Sequence, residues 1–236
     1  MCGRYVSATP PDLLIRIFNA SMDDTLELTP SHNVAPTMPV PVVVADGTDR
    51  VLKIMRWGLV PPWAADLSVG SRMINARQES LGDKAAFRPA LARRRALIPA
   101  DAYYEWHVAH AGAPKQPYAI TLEDGGPLAF AGLWESWHAP DQTRVLSATI
   151  VTTASAGSIA HLHDRMPVVL PPQLWDDWLD TDLDSAAALS LLDAVPVSRL
   201  RAHPVSSRVN DVRVDDADLL TEVAPLQAHE QLDLLA

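Results

Sequence analysis

The sequence predicts an α+β domain built around a closed or nearly closed β-sheet. Seven short runs rich in Val, Ile, Leu and aromatic residues are bounded by Gly, Pro or Asp, as strands are. The 20 prolines are spread along the whole chain, which favours many short elements over long helices. Helical patterns are few, and no repeat of fixed period is present. These observations exclude a helical bundle and a repeat array.

The predicted elements follow the chain in irregular order. Strands are expected at residues 40–45, 51–57, 96–99, 118–122, 128–133, 146–153 and 167–170. Helices are expected at residues 10–18, 174–179 and 185–192. In the first, Thr9 supplies an N-cap ahead of two prolines. Residues 215–236 are acidic and amphipathic, as in a surface helix or a frayed tail. We expect one domain over residues 1–223 and an acidic tail over 224–236.

Composition narrows the class of protein. The chain has 236 residues, of which 48% are apolar and 20% charged, so a substantial core is expected. No apolar run approaches the 18 residues of a membrane helix, and we expect a soluble, cytoplasmic monomer. Cys2 is the single cysteine, which excludes an internal disulfide and a multi-cysteine zinc site. We expect no cofactor.

The net charge of −10 is unevenly distributed. Residues 1–175 carry 15 basic and 16 acidic side chains, whereas residues 176–236 carry 4 and 13. The acidity therefore belongs to the C-terminal quarter and does not prevent the rest from binding an anion. Of the 19 basic residues 16 are arginines, whose planar fork suits phosphate and carboxylate, although a genomic bias gives the same composition.

Cys2 is the first candidate for chemistry, because removal of Met1 would make it the N-terminal residue. Its α-amine would have a pKa of roughly 7.7–8.0, so a useful fraction is an uncharged nucleophile near neutrality. The thiolate can attack an acyl carbon with the amine as base. Alternatively, the amine can condense with an aldehyde and the thiol can add to the imine, closing a thiazolidine. A third possibility is that Cys2 packs as a small apolar residue.

Three further segments carry polar side chains among apolar neighbours. Asn75 and Arg77 would share one face of an extended segment, unless they are a turn residue and a solvated arginine. Glu105 follows two tyrosines, and desolvation there suits a general acid or base, unless it points to water from an edge strand. His163 and Arg165, two residues apart, can place a proton shuttle beside an anion anchor.

Two loops and one histidine pair complete the candidates. Trp63 ends the segment Trp-Gly-Leu-Val-Pro-Pro-Trp, a rigid loop suited either to base stacking or to plugging the core. Residues 33–37, Asn-Val-Ala-Pro-Thr, have the composition of a turn. The pair His161 and His163 is weak support for a metal site, because no cysteine and no obvious carboxylate ligand accompanies it.

Taken together, these segments resemble one family. The motifs that carry the resemblance occur in order: Met-Cys-Gly-Arg-Tyr at 1–5, Asn-Val-Ala-Pro-Thr at 33–37, Arg-Trp-Gly-Leu-Val-Pro-Pro-Trp at 56–63, Ile-Asn-Ala-Arg at 74–77, Glu-Trp at 105–106, His-Asp-Arg-Met-Pro at 163–167 and His-Pro-Val-Ser at 203–206. This series resembles the SRAP (SOS response-associated peptidase) family from Cys2 to about residue 223. The resemblance implies a distorted antiparallel β-barrel, or two packed sheets, with short flanking helices.

The resemblance also implies a function. In that family the processed N-terminal cysteine captures abasic sites in single-stranded DNA as a covalent DNA–protein crosslink. The implied catalytic residues are Cys2 as nucleophile, Asn75 to position the amine and sugar, Glu105 to move protons, and His163 to assist reversal. The implied DNA-binding residues are Arg4, Arg77, Arg165 and Thr152 at phosphates, and Asn33, Pro36 and Trp63 along the groove. The partner would be single-stranded DNA, with nucleoid association when bound.

Other functions remain open from the sequence. An N-terminal-nucleophile amidohydrolase of the glutaminase type also begins Met-Cys-Gly, but the expected Asn-Gly-containing oxyanion segment is absent. A lyase acting through the amine alone, a peptidase acting on Met1 or other proteins, and a DNA-binding module with an inert cysteine are further alternatives. Two departures from the family pattern, the acidic segment 209–216 and the tail beyond residue 224, leave the extent of the DNA footprint open.

Overall fold

Two β-sheets make up the computed structural model, which describes residues 2–22 and 27–226. The smaller sheet has five strands in the order β13 (Leu200–Pro204), β9 (Gln116–Leu122), β8 (Ala102–His107), β1 (Tyr5–Ser7) and β3 (Ser31–Val34). The larger has eight, β12 (Arg165–Pro167), β11 (Arg144–Ala154), β10 (Leu128–His138), β7 (Arg95–Ala100), β4 (Pro39–Asp46), β5 (Asp49–Trp57) and β2 (Ala20–Met22), with β6 (Asn75–Arg77) on β11.

The larger sheet closes on itself. Strand β11 pairs antiparallel with β10 and, at Ser147 and Ala148, parallel with Arg56 and Trp57 of β5. Strands β5, β4, β7, β10 and β11 therefore form a ring of five. Most pairings are antiparallel, whereas β11 pairs parallel with β5 and β6, and β2 pairs parallel with β5. The predicted α+β class with a distorted barrel and packed sheets is confirmed.

Alternating side chains divide the core into two main layers. On β7, Ile98 packs into the cluster that lies between the sheets, while Leu97 packs on the other side. Strand β10 alternates in the same way, with Phe130 between the sheets. We call the side that faces this shared cluster the inner face. It buries the aromatic side chains of Tyr5, Trp57, Tyr103 and Phe130 and also contains Cys2.

Four short helices cover the other side of the larger sheet: α1 (Pro11–Phe18), α2 (Arg88–Arg93), α3 (Trp175–Leu179) and α4 (Ser185–Asp193). Helix α1 has proline in its first turn and ends at Asn19, whose φ of 46° breaks the helical geometry. Its buried Phe18 stacks on Trp175 of α3, with ring centroids 4.6 Å apart. Among the described residues, no helix is long and apolar enough to cross a membrane.

The outer side of the smaller sheet carries a separate small core. Val6 and Tyr104 pack there against Val209 and Leu219, which belong to 3₁₀ turns in the C-terminal segment. The expected surface helix or frayed tail after residue 215 is therefore wrong for the described part, because Leu219 is fully buried. Residues 227–236 of the predicted tail lie outside the described residues, and the domain boundary near 223 stays a prediction.

The long predicted elements match the structure, and the short ones differ. The six strands predicted between 40 and 153 and the three helices are present, five of the strands and all three helices within two residues of the predicted bounds, whereas β10 continues five residues beyond its predicted end, to His138. The strand predicted at 167–170 ends at Pro167, although Val169 forms an isolated bridge to Phe130. The predicted elements did not include strands β1, β2, β3, β8 and β13 or helix α2. Each has at most six residues, which is too few to show a clear periodicity.

Candidate functional site

Cys2 lies on the inner face, three residues before the start of β1. It is 0% exposed and belongs to the same buried cluster as Tyr5 and Tyr103. Its thiol lies 3.9 Å from the carbonyl oxygen of Arg4 and donates to it. Burial raises the pKa of the thiol well above its usual range, and the negative charge of Glu105 raises it further. In this environment the thiol is held in its protonated form.

Glu105 is the carboxylate of the inner face. It lies on β8 two residues after Tyr103, so the two side chains share one side of the strand, and Glu105 is only 4% exposed. Across the ladder it faces Tyr118 of β9. Its electrostatic effect on the Cys2 thiol shows that the two groups are near neighbours. The structure thus places the predicted acid–base residue beside the predicted nucleophile.

Asn75 connects the two sheets at Cys2. It begins β6, where it pairs with Ile150 of β11, a residue of the inner-face cluster. Its Nδ2 donates to the carbonyl oxygen of Cys2 at 2.7 Å. Its Oδ1 is buried and has no hydrogen-bond partner among the described residues. One amide therefore fixes the backbone of Cys2 and leaves an acceptor beside it.

Arg77, Thr152 and Arg165 form a rim next to Asn75. Arg77 is exposed and pairs in register with Thr152 of β11, which is fully buried. Arg165 donates through Nη2 to the carbonyl oxygen of Thr152 at 2.6 Å. It also forms a bidentate ion pair with Glu79, at 2.6 and 2.9 Å. The guanidinium of Arg165 is thus already paired with an anion in the same fork geometry that a phosphate uses.

His163 precedes this rim by two residues. Its Nδ1 lies 2.9 Å from the backbone nitrogen of Arg165 and 2.7 Å from Oδ1 of Asp164. A neutral ring can accept from the Arg165 N–H, whereas a protonated ring can donate to the carboxylate. Nδ1 of His163 thus lies between a backbone donor and a carboxylate. His161 lies apart from His163, and its ring is edge-on to that of His107, with ring centroids 5.9 Å apart.

Arg4 and Asn33 lie on the other side of the smaller sheet. Nη1 of Arg4 donates to Oδ1 of Asn33 at 2.7 Å and to the carbonyl oxygen of Val209 at 2.8 Å. Nδ2 of Asn33, a buried residue, donates to the carbonyl oxygens of Asp211 at 3.0 Å and Val214 at 2.6 Å. We call Arg4 and Asn33 the anchor, because they hold the segment 207–214. Their predicted DNA contacts stay predictions.

The two predicted groove residues in loops are placed differently. Trp63 is 63% exposed, which is unusual for so large an apolar side chain and fits a stacking surface better than a core plug. Pro36 is half-buried in the turn before Thr37, whose φ is 77°. Neither position tests a contact with DNA.

Tyr5 and Tyr103 are inner-face residues that the sequence analysis did not single out. Both are 0% exposed, and neither hydroxyl has a hydrogen-bond partner among the described residues. The available signal was their spacing, because Tyr103 lies two residues before Glu105 and Tyr5 three after Cys2. No group of three or more metal-ligating side chains is found in the part of the chain that the structure describes.

Comparison with known proteins gives the family. The family model described as SOS response associated peptidase (SRAP) matches residues 1–212. The chain belongs to the SRAP family. Among SRAP relatives, the abasic site processing proteins YoqW and YoaM of Bacillus subtilis are each 38% identical, over 224 and 222 residues. Each alignment covers 93% of this chain, with 99% of YoqW and 97% of YoaM. The predicted family is confirmed.

More distant SRAP relatives and solved structures agree. The abasic site processing protein HMCES of Rattus norvegicus is 29% identical, covering 95% of this chain and 78% of the relative. A crystal structure from Bacteroides thetaiotaomicron has a TM-score of 0.81 at 20% identity over 94% of this chain and all of the other, which shows the shared fold. A phage-related protein from Bordetella bronchiseptica has a TM-score of 0.70 at 29% identity, covering 87% and 95%.

Proposed function

We propose that this SRAP protein captures abasic sites in single-stranded DNA by forming a thiazolidine through Cys2 after removal of Met1. Its relatives are named abasic site processing proteins. The observation that carries the proposal is the 2.7 Å hydrogen bond from Asn75 to the carbonyl of Cys2, with Glu105 beside the thiol. A side chain that fixes the backbone of an N-terminal residue also fixes its α-amine, which is what aldehyde capture requires.

The chemistry balances without an oxidant or a metal ion. The α-amine of Cys2 adds to C1′ of the ring-opened deoxyribose, a C–N bond forms, and the carbonyl electron pair moves to oxygen. That oxygen takes up the two protons that the amine nitrogen loses and leaves as water, which gives an imine. The thiol then adds to the imine carbon and its proton passes to nitrogen, closing the five-membered ring. Aldehyde and aminothiol thus become thiazolidine and one water.

The state of the thiol decides the order of these steps. Because burial and Glu105 raise the pKa of the thiol, little thiolate is available for a first attack. An N-terminal amine, with a pKa of roughly 7.7–8.0, is partly uncharged near neutrality. The amine therefore attacks first, and the thiol closes the ring on the more reactive imine. This order disfavours the glutaminase alternative, in which a thiolate must attack an amide first.

The remaining residues take roles around this centre. Asn75 positions the amine. Glu105 transfers protons between the amine and the oxygen that departs as water, and His163 holds a proton for the reverse reaction. Arg77 and Arg165 bind the flanking phosphates, with Thr152 between them. Trp63 stacks on a base without reading it, which suits a lesion that has lost its base.

The test is incubation with a single-stranded oligonucleotide that contains one abasic site. We expect a band shift that survives denaturation, and an intact mass equal to the protein without Met1 plus the oligonucleotide minus one water. The Cys2→Ala variant should show no such covalent product, and neither should the wild type with an oligonucleotide that lacks the abasic site. Cys2→Ser keeps the amine but cannot form the thiazolidine, so it should favour strand scission.

Each alternative predicts a different result in the same assays. A crosslink that persists in Cys2→Ala would overturn the proposal. Binding that salt fully reverses, with no covalent product, would indicate a plain DNA-binding module. Release of ammonia from glutamine would support the amidohydrolase. Active protein that still carries Met1 would exclude the N-terminal amine as the nucleophile.

A further inference from the structure

Two buried tyrosine hydroxyls at the centre of the inner face have no explanation in the packing of the protein. Tyr5 on β1 and Tyr103 on β8 are direct partners in the antiparallel ladder, so their side chains lie next to each other on one face. Both belong to the cluster that contains Cys2, and both are 0% exposed. Neither hydroxyl has a hydrogen-bond partner among residues 2–22 and 27–226.

Such a pair is costly to the folded protein. A buried hydroxyl without a hydrogen bond destabilises the fold, and phenylalanine would fill the same space without that cost. The rings themselves are well packed, since Tyr5 lies edge-on to Trp57 at 5.1 Å and Tyr103 edge-on to Phe130 at 5.9 Å. The oxygen atoms, rather than the rings, are therefore what packing does not account for.

The surroundings indicate what these hydroxyls contact. Electrostatic repulsion from Cys2 is among the causes that raise the pKa of both tyrosines, after burial, and Glu105 also contributes at Tyr103. The two phenols are thus near neighbours of the reacting residue. They stay protonated across the working pH range and remain hydrogen-bond donors.

We propose that the hydroxyls of Tyr5 and Tyr103 form a two-donor oxyanion site for the C1′ oxygen of the abasic sugar. As the Cys2 amine adds to the aldehyde, the carbonyl electron pair moves to this oxygen, and two fixed donors in a water-poor site stabilise the developing charge. The oxygen then takes up two protons, in net the two that the amine nitrogen loses, and leaves as water. This inference rests on the proposed function, and it adds the residues that stabilise the addition step.

The test uses Tyr5→Phe, Tyr103→Phe and the double variant, each of which removes only oxygen atoms. We expect the crosslinking rate at saturating abasic oligonucleotide to fall about tenfold or more for each hydroxyl removed. The oligonucleotide concentration that gives half the maximal rate should not change, because the donors act on the addition step. The melting temperature of each variant should stay the same or rise, since an unpaired buried hydroxyl is lost.

Tyr104→Phe is the matched control on the same strand. Its hydroxyl lies on the opposite side of the sheet and donates to the carbonyl oxygen of His32 at 3.0 Å. We expect this variant to lose about 2–4 °C in melting temperature and to crosslink at the wild-type rate. Tyr5→Phe and Tyr103→Phe should therefore crosslink more slowly than the wild type without losing stability. Tyr104→Phe should lose stability and crosslink at the wild-type rate.

Several results would overturn the inference. Unchanged rates in the Tyr5 and Tyr103 variants, with a normal wild-type crosslink, would remove these hydroxyls from the reaction and leave the proposed function intact. A variant that melts earlier or fails to fold would show that its hydroxyl has a structural partner. Absence of any wild-type crosslink would instead overturn the proposed function, and this inference with it.

Discussion

The inner face around Cys2 and the anchor formed by Arg4 and Asn33 are both polar clusters inside an apolar protein, but their hydrogen bonding differs. Apart from Nε of Arg4, the anchor is paired with the protein's own carbonyl groups. On the inner face, the hydroxyls of Tyr5 and Tyr103 and Oδ1 of Asn75 have no partner among the described residues. A paired cluster stabilises the fold, whereas an unpaired one costs stability and has groups available for a ligand.

The largest expected effect tests the anchor. Asn33→Ala removes the acceptor of Arg4 and the donors to the 207–214 segment, and should lower the free energy of unfolding by about 3 kcal/mol in urea denaturation. Asn210→Ala is the control. It removes one solvent-exposed hydrogen bond, which Nε1 of Trp106 donates to Asn210 at 2.7 Å, and should lower the free energy of unfolding by less than about 1 kcal/mol. If Asn33→Ala instead left stability unchanged and weakened DNA binding, Asn33 would belong to the DNA interface.

The next effect tests the inner face through its pH dependence. The pKa of the buried Cys2 thiol is raised in the folded protein, whereas in the unfolded chain it is about 8.5. Above that pH only the unfolded chain loses this proton, so stability is full below about pH 8.5 and falls as pH rises. Between pH 9 and 10, the wild type should lose about 1.4 kcal/mol more than Cys2→Ala. Equal slopes in urea titrations would contradict the burial of the thiol.

The smallest effect concerns the ion pair between Arg165 of the rim and Glu79. A hydrogen bond from Arg165 lowers the pKa of Glu79, so the pair contributes stability above about pH 4.3 and loses it as pH falls. The Glu79 side chain is 56% exposed, and screening reduces the effect. Glu79→Gln should therefore cost only about 0.5 kcal/mol at pH 7, and progressively less as the pH falls below about 4.3.

Glu222→Gln breaks a single exposed contact with Arg201 at 3.3 Å and serves as the comparison for Glu79→Gln. We expect Glu222→Gln to lower the free energy of unfolding by less than Glu79→Gln does. A larger loss at Glu222, or a Glu79 effect that persists at pH 3, would show that charge pairing does not hold Arg165 in place.

Site residues whose surroundings come from their own segment of the chain could be predicted, whereas residues whose partners lie on distant strands could not. The aromatic neighbours of Glu105 along the chain indicated a desolvated carboxyl, although no strand was predicted there, and an extended segment at Asn75 and Arg77 is confirmed. The same reasoning could not place Arg4, because its side chain leaves the face that holds Tyr5 and pairs with Asn33 and Val209, which are distant in sequence. Contacts at such separations have no local signal.

The amino-acid sequence by itself determined the α+β class, the longest strands, three of the four described helices, the family and the chemical potential of an aminothiol at Cys2. These depend on residue type and short-range periodicity, which are readable along the chain. Only the tertiary structure decided that β11 closes the ring onto β5, that Asn75 holds Cys2, and that two tyrosine hydroxyls near it have no hydrogen-bond partner in the part of the chain that the structure describes. Closure, burial and hydrogen-bond satisfaction depend on which distant strands meet, and packing of the two sheets alone settles that.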